Sequence, residues 1–394
     1  MGGLPAVRTI YLDNVSTTRP DPRVVSAMSP FLAEGFVNPS SPHREGQHAR
    51  EMVEAARAEV ALLAGCGSEE VVFTSSATEA NNLALKGLCR ARGRRGDRLL
   101  VSAVEHPSIL QPARSLAQEG IQTVELPVDS QGRLDLDYYR RSLDPRVCLV
   151  SLMHANPEVG TLQPVLDAAR LAREAGCFFH TDATLTAGLF PSIWNEAPID
   201  LMTVSPHHFH GPRGIAALLV RGGIRLRPQE EGGTQEGGIR GGTEAVALLA
   251  GFGAAARFAR FEAAERRQRL VFLQADLRRR LEESLEDWVP TGDPVERLPG
   301  HLSLCVRYVE GEAVLALLDD EGILAGSGSA CTRDAMKESH VLRAMGIDPV
   351  LGRGSLQFSF SAFNRPDEVE EVARILPEVV RRLRRISPFT PGGG

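Results

Sequence analysis

Lysine is almost missing from this chain. Among 394 residues, Lys and Arg together number 44, yet Lys86 and Lys337 are the only lysines, so arginine carries nearly all the positive charge. The bland reading is a coding composition rich in G and C, which favours arginine over lysine but explains a histidine at position 208 poorly. The chemical consequence is that any reaction needing a side-chain primary amine has two candidates. Long apolar runs are missing too: no segment approaches the length of about 20 residues needed to span a bilayer. The N-terminal MGGLPAVRTIYLDN has neither the basic nor the apolar region of a signal peptide. A basic excess is absent at a net charge of −6, which gives no reason to expect nucleic-acid binding. Paired cysteine spacings are absent as well. Cys66, Cys89, Cys148, Cys177, Cys305 and Cys331 are scattered, the pattern of a reduced cytoplasmic protein without a disulfide framework.

What is present is ordinary for a soluble globular chain: 43% hydrophobic and 24% charged residues, in a length sufficient for one large and one small domain. The most informative stretch runs from Asp200 to Arg221, DLMTVSPHHFHGPRGIAALLVR. Its apolar runs Leu201–Val204 and Ile215–Val220 predict two buried strands, and the Ser-Pro-His-His and Gly-Pro-Arg-Gly insert predicts a loop held between them. Further strands are predicted at Val71–Phe73, Arg98–Ser102 and Val147–Met153, with helices over about Gln47–Ala64, Leu166–Ala175 and Thr243–Leu285, the last with a possible break. His43 and His48 read as cap or surface residues. Thr74 to Thr78 form a small polar loop ahead of a helix. Small residues let a backbone approach an anion, and first-turn N–H groups point at it, so Ser76, Ala77 and Thr78 are candidate phosphate ligands. A Ser/Thr cap on an ordinary helix looks much the same. Ser387 to Gly394 read as a disordered tail.

These segments resemble, in order, the motifs of the cysteine desulfurases, pyridoxal-phosphate (PLP) enzymes of the class V aminotransferase fold. Ser205, His207, Gly211, Pro212 and Gly214 match the family's Ser-x-His-Lys-x-x-Gly-Pro-Lys-Gly signature, with His208 at the Schiff-base lysine. YLDNVSTT, NPSSPH, TSSATE, EH, HANPEVG, HTDA, the Gly232–Gly253 stretch, GSGSACTR and GSLQFS follow the family's other motifs. The resemblance spans about Tyr11 to Glu370. It implies an α/β fold with a mostly parallel seven-stranded mixed sheet (PLP fold type I) and a smaller α+β domain. The expected division is 17–262 for the large domain, with 1–16 and 263–386 for the small one. The resemblance further implies that Ser76, Ala77 and Thr78 bind the PLP phosphate and that His106 stacks on the pyridine ring. Asn156 would meet the ring hydroxyl and Asp182 the pyridine nitrogen, with Ser205 and His207 also contacting the cofactor. Thr243 would reach a partner's phosphate across a dimer interface. Asn14, Asn156 and Gln357 would face substrate, and Cys331 would be the sulfur-accepting thiol.

Four positions depart from the family: His208 for lysine, Gln357 for the arginine that clamps a substrate carboxylate, Leu185 for a glutamine, and Ser76 for a glycine. Imidazole forms no stable Schiff base, although it can act as a base. Three expectations follow. The first is a desulfurase homologue without Schiff-base catalysis, acting as a scaffold or persulfide carrier through Cys331. It would serve iron–sulfur assembly or sulfur transfer, as a homodimer or beside a lysine-containing paralogue, with a scaffold or sulfur-acceptor protein as partner. The second is an active desulfurase or lyase holding PLP noncovalently. The third is a metal site built from His207, His208 and His210, against which stands the alternation of neighbouring side chains in an extended segment.

Overall fold

Apolar runs of four or five residues alternate with amphipathic helical segments through the first 220 positions, and such alternation builds a parallel sheet covered by helices. The computed structural model describes residues 9–91, 96–328 and 339–387. Its strands, in chain order, are β1 (Ile10–Tyr11), β2 (Val71–Thr74), β3 (Arg98–Ser102), β4 (Gln122–Leu126), β5 (Val147–Ser151) and β6 (Phe178–Asp182). They continue with β7 (Leu201–Val204), β8 (Ala216–Val220), β9 (Trp288–Pro290), β10 (His301–Val306), β11 (Ile323–Leu324) and β12 (Ser355–Ser359). The main sheet has seven strands in the order β2-β8-β7-β6-β5-β3-β4. Only β8 runs against its neighbours in that sheet; β7, β6, β5, β3 and β4 pair in parallel. The α/β class and the mostly parallel mixed sheet are therefore as the sequence implies.

Strands β5, β7 and β8 are buried at every position, which is why they read as continuous apolar runs rather than alternating ones. One hydrophobic core lies against this sheet and includes Phe179, Trp194 and Phe252. A second core includes Leu302, Phe358 and Val372 and belongs to the antiparallel sheet β12-β10-β9 and the helix Pro366–Arg384. The helix Val246–Ser284 joins them: Leu249, Phe252 and Ala256 enter the first core, and Leu270, Leu273, Leu277 and Leu281 enter the second. The break anticipated in this segment does not occur, and the helix runs unbroken for 39 residues. It contains no proline, and Gly253 serves close packing, since a Cβ there would stand 2.8 Å from the Ala56 Cα of the neighbouring helix Arg44–Ala64. That neighbour begins three residues earlier than the sequence suggests, because His43 Nδ1 accepts the Gly46 N–H at 3.1 Å and caps it.

The arrangement decides where chemistry can occur. In an open sheet of this kind, ligands bind outside the carboxyl ends of the strands. The segments following β2, β3, β5, β6 and β7 all emerge at that edge, and they carry Ser76, His106, Asn156, Asp182 and His208. Among the described residues no helix is long and apolar enough to cross a membrane.

Candidate active site

After β2 the chain turns through Ser75 into a helix capped by Ser76, whose Oγ accepts the Glu79 N–H at 3.1 Å. Ser76 lies in extended backbone at φ −166°, so serine stands there without strain where the family has glycine. The N–H groups of Ala77 and Thr78 are the first-turn donors that a helix leaves unpaired. They border a cleft of about 700 Å³ lined by Ser76, Thr78, Asn82, Gln229 and Arg240. Glu79 closes the outer side, accepting from Ser75 N at 2.8 Å and from Arg240 Nε at 2.9 Å. Burial raises its pKa, but the hydrogen bonds from Arg240 and Ser75 outweigh that and keep it ionised.

After β3, His106 caps the helix Pro107–Gln118. Its Nδ1 accepts the Ser108 N–H at 3.1 Å and stands 2.8 Å from Ser108 Oγ, which leaves the ring proton to Nε2. Burial lowers the His106 pKa, with Asp182 opposing it. Asp182, at the end of β6, is 8% exposed. Its Oδ2 accepts from Asn81 Nδ2 at 2.7 Å and its Oδ1 from Thr184 N at 3.1 Å. Asn81 Nδ2 also donates to Ser108 Oγ at 2.9 Å. Asp182, Asn81, Ser108 and His106 thus form one buried network, and a carboxylate has lone pairs left for a further donor.

The sequence did not reveal Asn81 or Ser108. The available signal was an asparagine inside a helix turn otherwise buried among Ala80, Leu83 and Ala84. Glu105, next to His106, is wholly buried, with Oε1 accepting the Met153 N–H at 2.7 Å and Oε2 unpartnered. Burial pushes its pKa well above the usual carboxylate value, with the Met153 N–H bond opposing the shift.

Asn156, expected at a ring hydroxyl, is already engaged. Its Oδ1 accepts from the N–H groups of Glu158 and Val159, both at 2.9 Å, and its Nδ2 donates to Val104 O at 2.9 Å. It ties the loop after β5 to the loop after β3.

The loop after β7 is clasped by the N-terminal segment. Thr18 donates through both N and Oγ1 to His207 O at 2.8 Å, and its Oγ1 accepts the His210 N–H at 2.8 Å. Ser205, 1% exposed, donates weakly to Ile215 O at 3.4 Å across the mouth of the two strands. The His207 and His208 rings lie 3.9 Å apart at 40°. His208 Nδ1 is sealed from solvent and has no partner. Burial first, then His207 and His106, hold the His208 imidazole well below its ordinary pKa, so it is neutral. His106, His207, His208 and Asp182 are therefore brought together: Asp182 acts electrostatically on His106 and His207, and both of these act on His208.

The metal reading fails. His207 Nδ1 faces Thr17 Oγ1 at 3.3 Å, and His210, held at φ 69°, turns its Nδ1 to Arg19 O at 2.9 Å. Among the described residues no group of three or more His, Cys, Asp or Glu side chains could hold a metal ion.

His208 also lines a cleft of about 540 Å³ with Asn14, Leu185, Arg266 and Ser359. Asn14 donates to Ser359 O at 2.7 Å, and its Oδ1 is buried without a partner. Gln357 sits in β12, bridged through its backbone to Gly326. A Cβ on Gly326 would come within 2.9 Å of Asp13 Oδ1 and 3.7 Å of Gln357 Oε1, so Asp13 and Gln357 approach the same spot. Burial raises the Asp13 pKa. Thr243 is exposed. Lys86 lies in a π-type turn at Leu83–Gly87, and its charge acts on Glu119, at the far end of the helix that His106 caps. That helix puts about 20 Å between its two ends, beyond the reach of a lysine. Cys331 and Lys337 fall outside the described residues.

A sheet with its loops gathered at one edge, a buried carboxylate linked through Asn81 and Ser108 to a histidine, and a helix N-terminus for an anion are the features of a PLP-type fold. The chain belongs to the aminotransferase class-V family, whose model matches residues 10–372, and within it to the cysteine desulfurase group. It is similar to the cysteine desulfurase IscS of Dictyoglomus turgidum, with 38% identity over 382 residues covering 97% of each chain. It is likewise similar to the cysteine desulfurase NifS of Azotobacter vinelandii, with 41% identity over 396 residues, covering 98% of this chain and 96% of the relative. Among solved structures, a NifS-like protein superposes with a TM-score of 0.90 at 32% identity, covering 95% of this chain and 100% of the other.

Proposed function

We propose that this chain is a sulfur-transfer member of the cysteine desulfurase group that has given up lysine Schiff-base chemistry and works as a scaffold or persulfide carrier through Cys331. The observation that carries this reading is His208. The residue at the lysine position is a neutral imidazole, and Lys86, in the turn Leu83–Gly87, acts on Glu119 at the far end of the helix that His106 caps. In this reading the protein acts in the cytoplasm as a dimer, with itself or with a lysine-containing paralogue, and passes sulfur to an acceptor or iron–sulfur scaffold protein. A homodimer would bring Thr243, exposed within one chain, toward the partner's phosphate end.

The residues present fit the ring and phosphate of the family cofactor. The Ala77 and Thr78 N–H groups and the Thr78 hydroxyl would hold the phosphate, His106 would cover the ring, and Asp182, steadied by Asn81, would hold the proton at the pyridine nitrogen. When bound, the pyridine ring supplies an electron sink. His208 would receive or return a proton from its unbonded ring nitrogen. These retained groups favour a second reading, a desulfurase or lyase that holds its cofactor noncovalently.

Borohydride treatment of the protein loaded with PLP, followed by peptide mass spectrometry, tests the first reading. No pyridoxyl peptide is expected, and an adduct at Lys86 or Lys337 overturns it. Loading the cofactor-free protein with sulfur from another desulfurase and cysteine should place a persulfide on Cys331. The label should vanish in Cys331→Ser, and labelling spread evenly over the six cysteines removes the carrier role.

A further inference from the structure

We propose that the cleft takes the amine form of the cofactor, pyridoxamine 5′-phosphate, in preference to the aldehyde form, and that His208 is the residue that selects it. The inference rests on the part of the reading above that keeps a ring-and-phosphate cleft, and it is independent of Cys331. Three observations point the same way.

The first is the hydrogen-bonding state of His208. Nδ1 is sealed and unpartnered. Among the described residues Nε2 makes no hydrogen bond either. A neutral imidazole offers one N–H and one lone pair. The aminomethyl group of pyridoxamine 5′-phosphate is a cation with three N–H donors, so it gives the lone pair a charge-assisted hydrogen bond, roughly twice as strong as a neutral one. The aldehyde carbonyl is an acceptor only, and it can take nothing stronger than a neutral N–H···O bond from the same ring.

The second is charge. The family pattern places a lysine at 208 and an arginine at 357, and this chain has neither. Asp182 remains, buried and accepting from Asn81, and Asp13 approaches the same spot as Gln357. Removing two cations while keeping two carboxyl groups leaves the site with less positive charge than the family pattern has, although Arg266 still lines the cleft beside His208. An incoming ammonium offsets that deficit, and an uncharged aldehyde does not.

The third is what the aldehyde loses. Its advantage in a lysine-bearing site is the covalent bond to that lysine. With imidazole at 208 and Lys86 acting on Glu119 at the far end of a 12-residue helix, that advantage is gone. The amine form never depended on it. Both forms share the same phosphate and ring contacts, so the difference between them falls on position 208.

The test is a pair of calorimetric titrations of dialysed protein, one with pyridoxamine 5′-phosphate and one with PLP. The amine form should bind at least about tenfold tighter, the equivalent of about 1.4 kcal/mol. His208→Lys should reverse the order and retain PLP through dialysis as a borohydride-fixable adduct. His208→Ala should bring the two affinities within about threefold, because the phosphate and ring contacts stay while the lone pair goes. His208→Gln, which restores an acceptor, should recover part of the preference. It also guards against a folding defect in the alanine variant, and circular dichroism is recorded for each. Equal or tighter binding of PLP by the unmodified chain overturns the proposal, as does no binding of either form. A preference that survives in His208→Ala removes His208 as its source. Persulfide loading of Cys331, read without cofactor, separates this failure from failure of the sulfur-carrier reading.

Discussion

The two sides of the site are built from different materials. On one side, the Ala77 and Thr78 N–H groups, the Ser76 cap, His106 and the Asn81–Asp182 pair form a continuous set, with the side chains held by hydrogen bonds of 2.7–3.1 Å. On the other side stand His208, Gln357 and Leu185, where the family pattern has lysine, arginine and glutamine. The first half is built largely from backbone N–H groups and from residues at strand ends and helix caps, so it follows from folding this way. The second half depends on side-chain identity at single positions, where one substitution changes what the site offers while β7 and β12 keep their places. Gripping a ring and an anion is thus physically separable from reacting with an amine.

The largest test of that separation is Asp182→Ala. Losing a hydrogen bond to a charged group costs about 1.5–3 kcal/mol, so pyridoxamine 5′-phosphate should bind roughly 10- to 150-fold more weakly in calorimetry. If His208→Ala weakened the binding more than Asp182→Ala does, the division between gripping and reacting halves would break.

Next in size is Asn156→Ala. Its amide joins Val104, Glu158 and Val159, and leaving buried groups unpaired costs about 1–3 kcal/mol. The urea midpoint should fall accordingly, with little change in ligand affinity for the protein that remains folded. The opposite pattern, loss of affinity at an unchanged midpoint, would return Asn156 to a cofactor-contacting role.

The gentlest effect is that of pH on stability. Burial lowers the pKa of His154, His180 and His210 to about 4 and of His301 to about 3, from 6.5. Between those values the unfolded chain binds protons that the folded chain refuses, so stability is complete above pH 6.5 and falls as the pH drops toward 4. Glu158, raised by burial from 4.5 to about 7, acts in the opposite direction, its stabilisation fading as pH rises through 7. Four imidazoles against the two raised carboxyls Glu158 and Glu105 leave a net loss on acidification. Urea midpoints that stay flat or rise between pH 6 and 4 contradict the assignment.

Much of this was legible in the amino-acid sequence, for identifiable reasons. Strands β3 and β7 fall on Arg98–Ser102 and Leu201–Val204 as expected, because strands buried on both faces appear as short apolar runs with turn residues at their ends. The lysine scarcity and His208 were visible without any structure. Asn81 and Ser108 were not, because their role depends on how the helices following β2 and β3 meet, and local periodicity carries no information about that crossing. Asn156 was placed correctly in the chain, yet its hydrogen bonds go to backbone groups that only tertiary structure brings near it. The break allowed for in the long helix does not occur, and its glycines Gly251 and Gly253 serve close contact with Met28, Pro212 and Ala56.

That helix has a mechanical consequence. At 39 residues it is a rod about 58 Å long, rooted in one core through Phe252 and in the other through Leu273. Arg266 lies between those roots, bonded to Glu262 at 2.7 Å, and lines the cleft beside His208. A hinge concentrates motion in a few backbone torsions; a continuous rod spreads it as elastic bending over many turns. With no break along its 39 residues, the helix offers no hinge between the two cores, so any change of spacing between them is expected to spread along many turns.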